Sequence, residues 1–225
     1  TTPGITAERE AIARVGGEMK YTTDVKLSTT QIIEYIKDEV DRKEILVVLD
    51  RDGTLIEHSG DFFGQQENWK EELQVKMPVV SLVAYLQTKY KVTAIVASNQ
   101  AGVARGLYGC SRVEEIHRYL DQLLRTQSVI ISSWNYCPDV DSVYANVMQG
   151  KISFDPAFVK EKTARKPGAG MVEKALHELR RTIADFSQII VLGDQKEDDG
   201  LAVNLKARFI DVKGKSFEEM KKEIT

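Results

Sequence analysis

The 225-residue chain has little cysteine: Cys110 and Cys137 alone, too few and too far apart for a disulfide framework. A reduced, cytosolic setting is the simpler expectation. Long apolar runs are also missing. None approaches the ~20 residues needed to span a bilayer, so no membrane association is expected. The opening Thr1-Thr2-Pro3-Gly4 lacks the basic-then-apolar order of a secretory signal. Charge of one sign is scarce too, since 31 Lys and Arg against 34 Asp and Glu leave a net charge of −3. That gives no broad footprint for nucleic acid or an anionic membrane, and leaves room for a local basic pocket. The three histidines, His58, His117 and His177, stand among polar or charged neighbours and are all expected at the surface. There are no repeats, low-complexity tracts or linkers. The length suits one α/β core with a small elaboration.

What is present is organised around Glu44 to Glu57. Ile45 to Leu49 is an unbroken apolar run rich in β-branched residues, the pattern of a strand buried on both faces. It ends abruptly in Asp50 and Asp52, followed by Gly53. Acids at a buried strand end need a compensating partner, and a metal ion or a reaction using both carboxylates supplies one. Residues i and i+2 of a strand project to the same side. Turned at Gly53, both would face the crevice at the strand's carboxyl end, where open α/β sheets bind ligands. In isolation, Asp-Arg-Asp-Gly is also simply a good polar turn.

Before this strand, residues 1–43 read as an N-terminal extension. It is partly helical around Glu8 to Arg14, with a helix from an N-cap at Ser28 through Arg42, buried through Ile32, Ile33, Ile36 and Val40. After the strand, Ser59 to Met77 is a polar loop whose Phe62, Phe63 and Trp69 either pack it down or gate an entrance, packing being favoured. Pro78 to Lys89 reads as a helix, Val92 to Ala97 as a second strand, and a helix capped by Ser111 follows, with Val113, Ile116, Tyr119, Leu120 and Leu123 inward. Further strands are expected at Val129–Trp134, Ile189–Leu192 and Ala207–Val212, and a terminal helix capped by Ser216 through Glu223. This alternation implies a doubly wound, Rossmann-like α/β domain over 44–225. It would be a three-layer sandwich with a mostly parallel sheet of five or six strands. The roughly twenty residues from Ser59 to Met77 are too few for a large cap domain.

Four stretches then carry a resemblance. Asp50-Arg51-Asp52-Gly53-Thr54 resembles the first motif of the haloacid dehalogenase superfamily. Ser98, opening Ser98-Asn99-Gln100-Ala101-Gly102-Val103-Ala104-Arg105-Gly106, is similar to its second, and a strand-end hydroxyl followed by amides and glycines suits phosphate. Lys166 in Arg165-Lys166-Pro167-Gly168-Ala169-Gly170-Met171 is similar to the third, and Gly193-Asp194-Gln195-Lys196-Glu197-Asp198 to the fourth. The longer runs resemble the branch holding histidinol-phosphate, D,D-heptose 1,7-bisphosphate and polynucleotide 3′-phosphatases.

The resemblance implies roles. Asp50 is the nucleophile and Asp52 the acid/base, with Ser98 and Lys166 on the transferring phosphate. Thr54, Asn99, Arg165 and Lys196 bind substrate. Asp50, Asp194 and the backbone carbonyl of Asp52 hold Mg²⁺, with Asp198 behind them on a metal-bound water or Lys166, and Asp199 as its alternate. The implied activity is a Mg²⁺-dependent phosphatase of a small phosphate monoester, a heptose bisphosphate-like sugar or polyol phosphate first. A polynucleotide 3′-phosphatase and a non-catalytic phosphate-binding protein are the alternatives. The bacterial relatives often carry a zinc loop of Cys-x-His and Cys-x-Cys type after the third strand. Here Cys137 stands alone in that stretch, with no histidine between His117 and His177. No structural zinc is therefore expected, and Tyr144, Phe154 and Phe158 are expected to pack the loop instead.

Overall fold

The computed structural model describes residues 12–14, 28–33, 42–57 and 62–224. The chain divides into two compact units, residues 1–41 and 42–225. In the first, residues 12–14 and 29–33 are helical. Ser28 opens the second segment with a capping box: its Oγ accepts from Gln31 N at 3.2 Å, and Gln31 Oε1 accepts from Ser28 N at 2.8 Å. The rest of the two helices expected in this unit, including Ile36 and Val40, lies outside the described residues, as does His58.

The second unit is built on five parallel strands in the order β3-β2-β1-β6-β7: β1 Glu44–Leu49, β2 Lys91–Asn99, β3 Ser133–Cys137, β6 Gln188–Gly193 and β7 Arg208–Asp211. Every neighbouring pair in this sheet is parallel. The central strand β1 separates two cores. Ile45, Val47 and Leu49 face helices α2 (Met77–Lys89), α4 (Cys110–Thr126) and α8 (Phe217–Ile224), through Val83, Leu86, Leu120, Leu124 and Ile224. Leu46 and Val48 face α6 (Gly170–Glu178) and α7 (Lys196–Leu205), through Met171, Leu176, Leu201 and Leu205. Each fully buried aliphatic side chain of β1 contributes about 1.5–3 kcal/mol, which is why an unbroken apolar run belongs at the sheet's centre. This is the expected three-layer, doubly wound α/β architecture.

Several local expectations shift. The third strand begins at Ser133, not Val129. Val129 and Ile131 are buried while Ile130 is exposed, so these residues seal the core below the sheet and the ladder starts after them. Helix α4 has Gly109 at its N-cap and no side-chain cap, so Ser111 is not the cap. Leu124 rather than Leu123 completes its buried stripe. His117 is 5% exposed instead of lying at the surface, with its ring 5.0 Å from that of Trp134 and 5.7 Å from that of Tyr136. His177 is exposed. The stretch after β3 holds β4 (Val140–Asp141), paired with β5 (Val159–Lys160), and a short helix, α5 (Ser142–Val147). Two-residue strands leave no periodicity to read. Val140, Phe154 and Phe158 pack this insertion down as a small cluster of their own, and the Tyr144 and Phe154 rings lie 5.9 Å apart. Ser216 opens α8 as expected, trading hydrogen bonds with Glu219. Among the described residues no helix is long and apolar enough to cross a membrane.

Candidate active site

The connection leaving β1 runs to β2 on one side of the sheet, while β6 pairs on the other. A crevice at the carboxyl ends of β1 and β6 follows from that switch. The chain beyond β1 is tightly folded. Asp50 N continues the ladder to Leu192 O at 3.0 Å, and the Arg51 carbonyl accepts from Leu55 N and Ile56 N at 3.0 and 3.1 Å. Leu55 and Ile56 are fully buried and draw the loop back into the core. Gly53 turns it at φ +84°, where a Cβ would lie 2.5 Å from Asp194 Oδ2. Only glycine combines that dihedral with that approach.

Three charges from three elements meet here. Lys166 Nζ donates to Asp50 Oδ1 at 2.6 Å and to Asp198 Oδ1 at 2.7 Å, and the three residues are 4%, 7% and 1% exposed. Lys166 comes from the loop before α6, which Asn99 at the end of β2 holds: Asn99 Oδ1 accepts from Lys166 N at 2.9 Å, and its Nδ2 donates to Lys166 O at 3.2 Å. Asp198, in the first turn of α7, accepts through Oδ2 from Asp194 N and Gln195 N at 3.2 and 3.1 Å. Both its oxygens are committed. A Cβ on Gly193 would lie 2.3 Å from Asp198, so a glycine lets the carboxylate cross the strand end.

Burial is the largest influence on Asp50 and pushes its carboxyl up to about 7, against the pull of Lys166 and with Asp198 and Asp52 adding to the rise. Burial alone would lower Lys166, but Asp50 and Asp198 outweigh it and hold the ammonium above its ordinary value. Asp194 is raised by burial despite accepting from Gln195 Nε2 at 2.7 Å.

Among the described residues, the group of metal-ligating side chains close enough to share an ion is Asp50, Asp194 and Asp198, with one oxygen of each within 4.8 Å of the others. Asp194 Oδ1 is buried and has no hydrogen-bond partner. A buried carboxylate oxygen left unpaired is costly, and a hard cation is the partner that suits it. With Asp198 committed to Lys166 and two N–H groups, Asp50 and Asp194 are the side chains that fit a Mg²⁺ ion.

The crevice has a volume of about 230 Å³ and is lined by Asp50, Asp52, Ser98, Asn99, Lys166, Asp198 and, at one side, Arg165. Arg165 Nη1 has no hydrogen-bond partner. Phe62, Phe63 and Tyr108 form an apolar side of the same crevice. Trp69 packs as expected: it is buried, edge-on to Tyr119 at 5.5 Å and to Phe63 at 6.4 Å. Phe62 lies under the Arg105 guanidinium at 4.6 Å.

Not every proposed contact residue reaches this space. Thr54 is fully buried and does not line the crevice. Lys196 and Asp199 are exposed on α7 and stand outside the lining. Asn99 does line the crevice, and its side-chain amide also holds the Lys166 backbone. Three residues with no role in the sequence reading belong here: Arg51, Gln100 and Tyr108. Gln100 Nε2 donates to Ser98 Oγ and to Asp52 Oδ2, both at 2.7 Å. The sole available signal was their position inside and just after motifs already singled out.

A family model described as Polynucleotide kinase 3 phosphatase matches residues 45–205, which takes in every motif residue of the crevice. The chain is 27% identical over 156 residues to the D-glycero-beta-D-manno-heptose-1,7-bisphosphate 7-phosphatase of Neisseria meningitidis, covering 68% of each chain. It is 28% identical over 188 residues to the probable D-glycero-D-manno-heptose-1,7-bisphosphate 7-phosphatase of Thermoplasma acidophilum, covering 81% of this chain and 97% of that one. Among solved structures, its fold is similar to that of the D,D-heptose 1,7-bisphosphate phosphatase from B. bronchiseptica complexed with magnesium and phosphate. The TM-score is 0.56 at 20% identity, covering 79% of this chain and 86% of that one.

Proposed function

The chain belongs to the polynucleotide kinase 3 phosphatase family and is a phosphatase of the haloacid dehalogenase type; on that premise we propose that it hydrolyses a small phosphate monoester, with Asp50 as nucleophile and Mg²⁺ as cofactor. The observation that carries this reading is the Lys166 ammonium seated between Asp50 and Asp198 in a crevice that also holds Ser98.

In the first half-reaction an Asp50 oxygen attacks phosphorus, the ester P–O bond breaks, and Asp52 gives a proton to the departing oxygen. In the second, water attacks the aspartyl-phosphate, Asp52 takes its proton, phosphate departs and the Asp50 carboxylate is restored. Lys166 and the Ser98 hydroxyl face the transferring group and offset its negative charge, the main catalytic task in phosphoryl transfer. Asp50, Asp194 and the backbone carbonyl of Asp52 would hold Mg²⁺, which would supply further positive charge to offset that of the transferring group.

For the substrate we favour a sugar or polyol phosphate, a heptose bisphosphate-like compound first. The names of the Neisseria and Thermoplasma relatives support it, as does Arg165 at the side of the crevice with a nitrogen to spare for a second acidic or hydroxyl group. A 3′-phosphorylated polynucleotide is the second reading, favoured by the description of the family model and opposed by a net charge of −3. The test is a panel of phosphate esters with Mg²⁺. We expect the highest kcat/KM on a sugar bisphosphate. A higher value on a 3′-phosphorylated oligonucleotide, falling steeply with salt, would replace the first reading by the second. No turnover on any ester would leave a non-catalytic phosphate-binding protein.

A further inference from the structure

Arg51 stands between the two acids of the first motif, and its side chain is 0% exposed. A guanidinium taken wholly out of water is expensive unless its donors are well used. A surface turn needs no such residue. Its Nε donates to Asp52 Oδ1 and its Nη2 to Asp52 Oδ2, each at 2.9 Å, the two-pronged geometry that fixes a carboxylate's plane. Nη2 also donates to Gln100 Oε1 at 3.0 Å, while Nη1 has no partner. The hydrogen bonds of this guanidinium go to Asp52 and Gln100 and none pins the loop backbone.

Gln100 is 1% exposed and completes the clamp. Its Oε1 also accepts from Tyr108 Oη at 3.0 Å, which leaves Nε2 to donate to Asp52 Oδ2 and to Ser98 Oγ, both at 2.7 Å. The Asp52 carboxylate thus receives three N–H donors in fixed directions, and one amide ties it to Ser98. Donors aimed at both oxygens fix the direction of the carboxylate. Of the two half-reactions set out above, the second leans on that direction more. The leaving oxygen of the first is carried in place by the substrate, whereas the water of the second is free and must be placed in line by its base. As that water forms the new P–O bond, its proton passes to Asp52, and the bond from phosphorus to Asp50 breaks.

We propose that Arg51 and Gln100 are positioning residues for hydrolysis of the phosphoenzyme, holding Asp52 as the base that receives the water proton. This rests on the assignment of Asp50 and Asp52 made above. It places the selective demand for a buried arginine in the second half-reaction rather than in substrate binding or in attack by Asp50.

The test uses p-nitrophenyl phosphate, whose leaving group departs without a proton, so that attack by Asp50 and hydrolysis of the phosphoenzyme separate. Arg51→Lys keeps the charge and loses the fork. Gln100→Met keeps the length and loses the amide, and carries the test if the lysine variant does not fold. A base displaced by about 1 Å costs on the order of 10²-fold. We expect kcat to fall about 10- to 100-fold and KM to fall with it. For Arg51→Lys kcat/KM should stay within about threefold of wild type. For Gln100→Met, which also frees Ser98, kcat should still fall further than kcat/KM. In both a burst of p-nitrophenolate should precede the slow steady state. A loss of kcat/KM matching the loss of kcat, with no burst, would mean a merely structural role and overturn the inference. Asp52→Asn is run alongside. If it shows the burst and the two variants do not, the inference alone fails; if it shows none, the assignment of Asp52 and the inference fall together.

Discussion

Gly53→Ala puts the metal assignment to a test whose size follows from the geometry. The new Cβ would lie 2.5 to 2.6 Å from the three atoms of the Asp194 carboxylate group. Ordinary carbon contacts need ~3.5 Å or more, so that carboxylate must retreat by about 1 Å. The substitution also places alanine at φ +84°, which costs about 1–2 kcal/mol. Against a typical domain stability of about 5–15 kcal/mol, the fold survives, with Tm lowered by about 2–8 °C. A ligand displaced by about 1 Å is another matter, and half-saturation by Mg²⁺ should rise about 10- to 100-fold. Gly214→Ala is the control, since Gly214 has φ +66° and nothing within 4 Å of an added Cβ. It should lower Tm comparably and leave the Mg²⁺ dependence untouched. The assays are activity against Mg²⁺ concentration, calorimetric titration of Mg²⁺, and thermal melting of both variants. A folded Gly53→Ala protein that binds Mg²⁺ as wild type does would refute the assignment of Asp194 to the metal.

Two further expectations concern the crevice wall and the helix behind it. Arg165→Ala should cost about 10- to 150-fold in kcat/KM on the true substrate, the value of one charged hydrogen bond of about 1.5–3 kcal/mol, and little on p-nitrophenyl phosphate. Lys166→Ala should damage both; equal losses on the two esters for Arg165→Ala would assign the arginine to the reacting phosphate instead. His117, pushed down to about 3 chiefly by burial, is neutral in the folded protein and takes up a proton on unfolding in acid. Its folded value lies below the unfolded 6.5, so the stability it contributes is complete above that pH and is lost as pH falls from there toward 3. At about 1.4 kcal/mol per unit, moving from pH 7 to pH 5 should cost about 2 kcal/mol. Urea unfolding at the two pH values should show a smaller difference for His117→Phe, and an unchanged one would show that another group carries the acid limb.

The sequence made the centre of the molecule legible because the centre is where chemistry and periodicity coincide. An apolar run ending in Asp50 and Asp52 sets two carboxylates at the mouth of a buried strand, and the crevice at the ends of β1, β2 and β6 assembles Asp50, Ser98, Lys166 and Asp198 as their motifs imply. What stayed hidden depends on packing at long sequence separation. Arg51 belongs to a stretch that reads in isolation as a polar turn, yet Gln100, forty-nine positions away, closes over its side chain. His117 sits between Glu115 and Arg118 in sequence, yet the turn of α4 carries it under Trp134. Val129 and Ile131 have the composition of a strand but act as a plug below one. Thr54 carries a motif identity that suggests ligand contact, yet its side chain is sealed in the core. For Lys196, nearness to Asp194 in sequence did not predict the outward direction given by the first turn of a helix.

The central claim is that Asp50 becomes covalently phosphorylated in a Mg²⁺-dependent reaction, and acid quenching followed by peptide mass mapping tests it most directly. Protein mixed with Mg²⁺ and a turned-over phosphate ester should carry one phosphoryl group on the peptide containing Asp50. With p-nitrophenyl phosphate, whose leaving group needs no proton, the fraction should rise in Asp52→Asn, where hydrolysis is slowed, and it should vanish in Asp50→Asn or with the metal chelated. Steady turnover with no phosphoryl group on that peptide, or wild-type kcat in Asp50→Asn, would contradict the account.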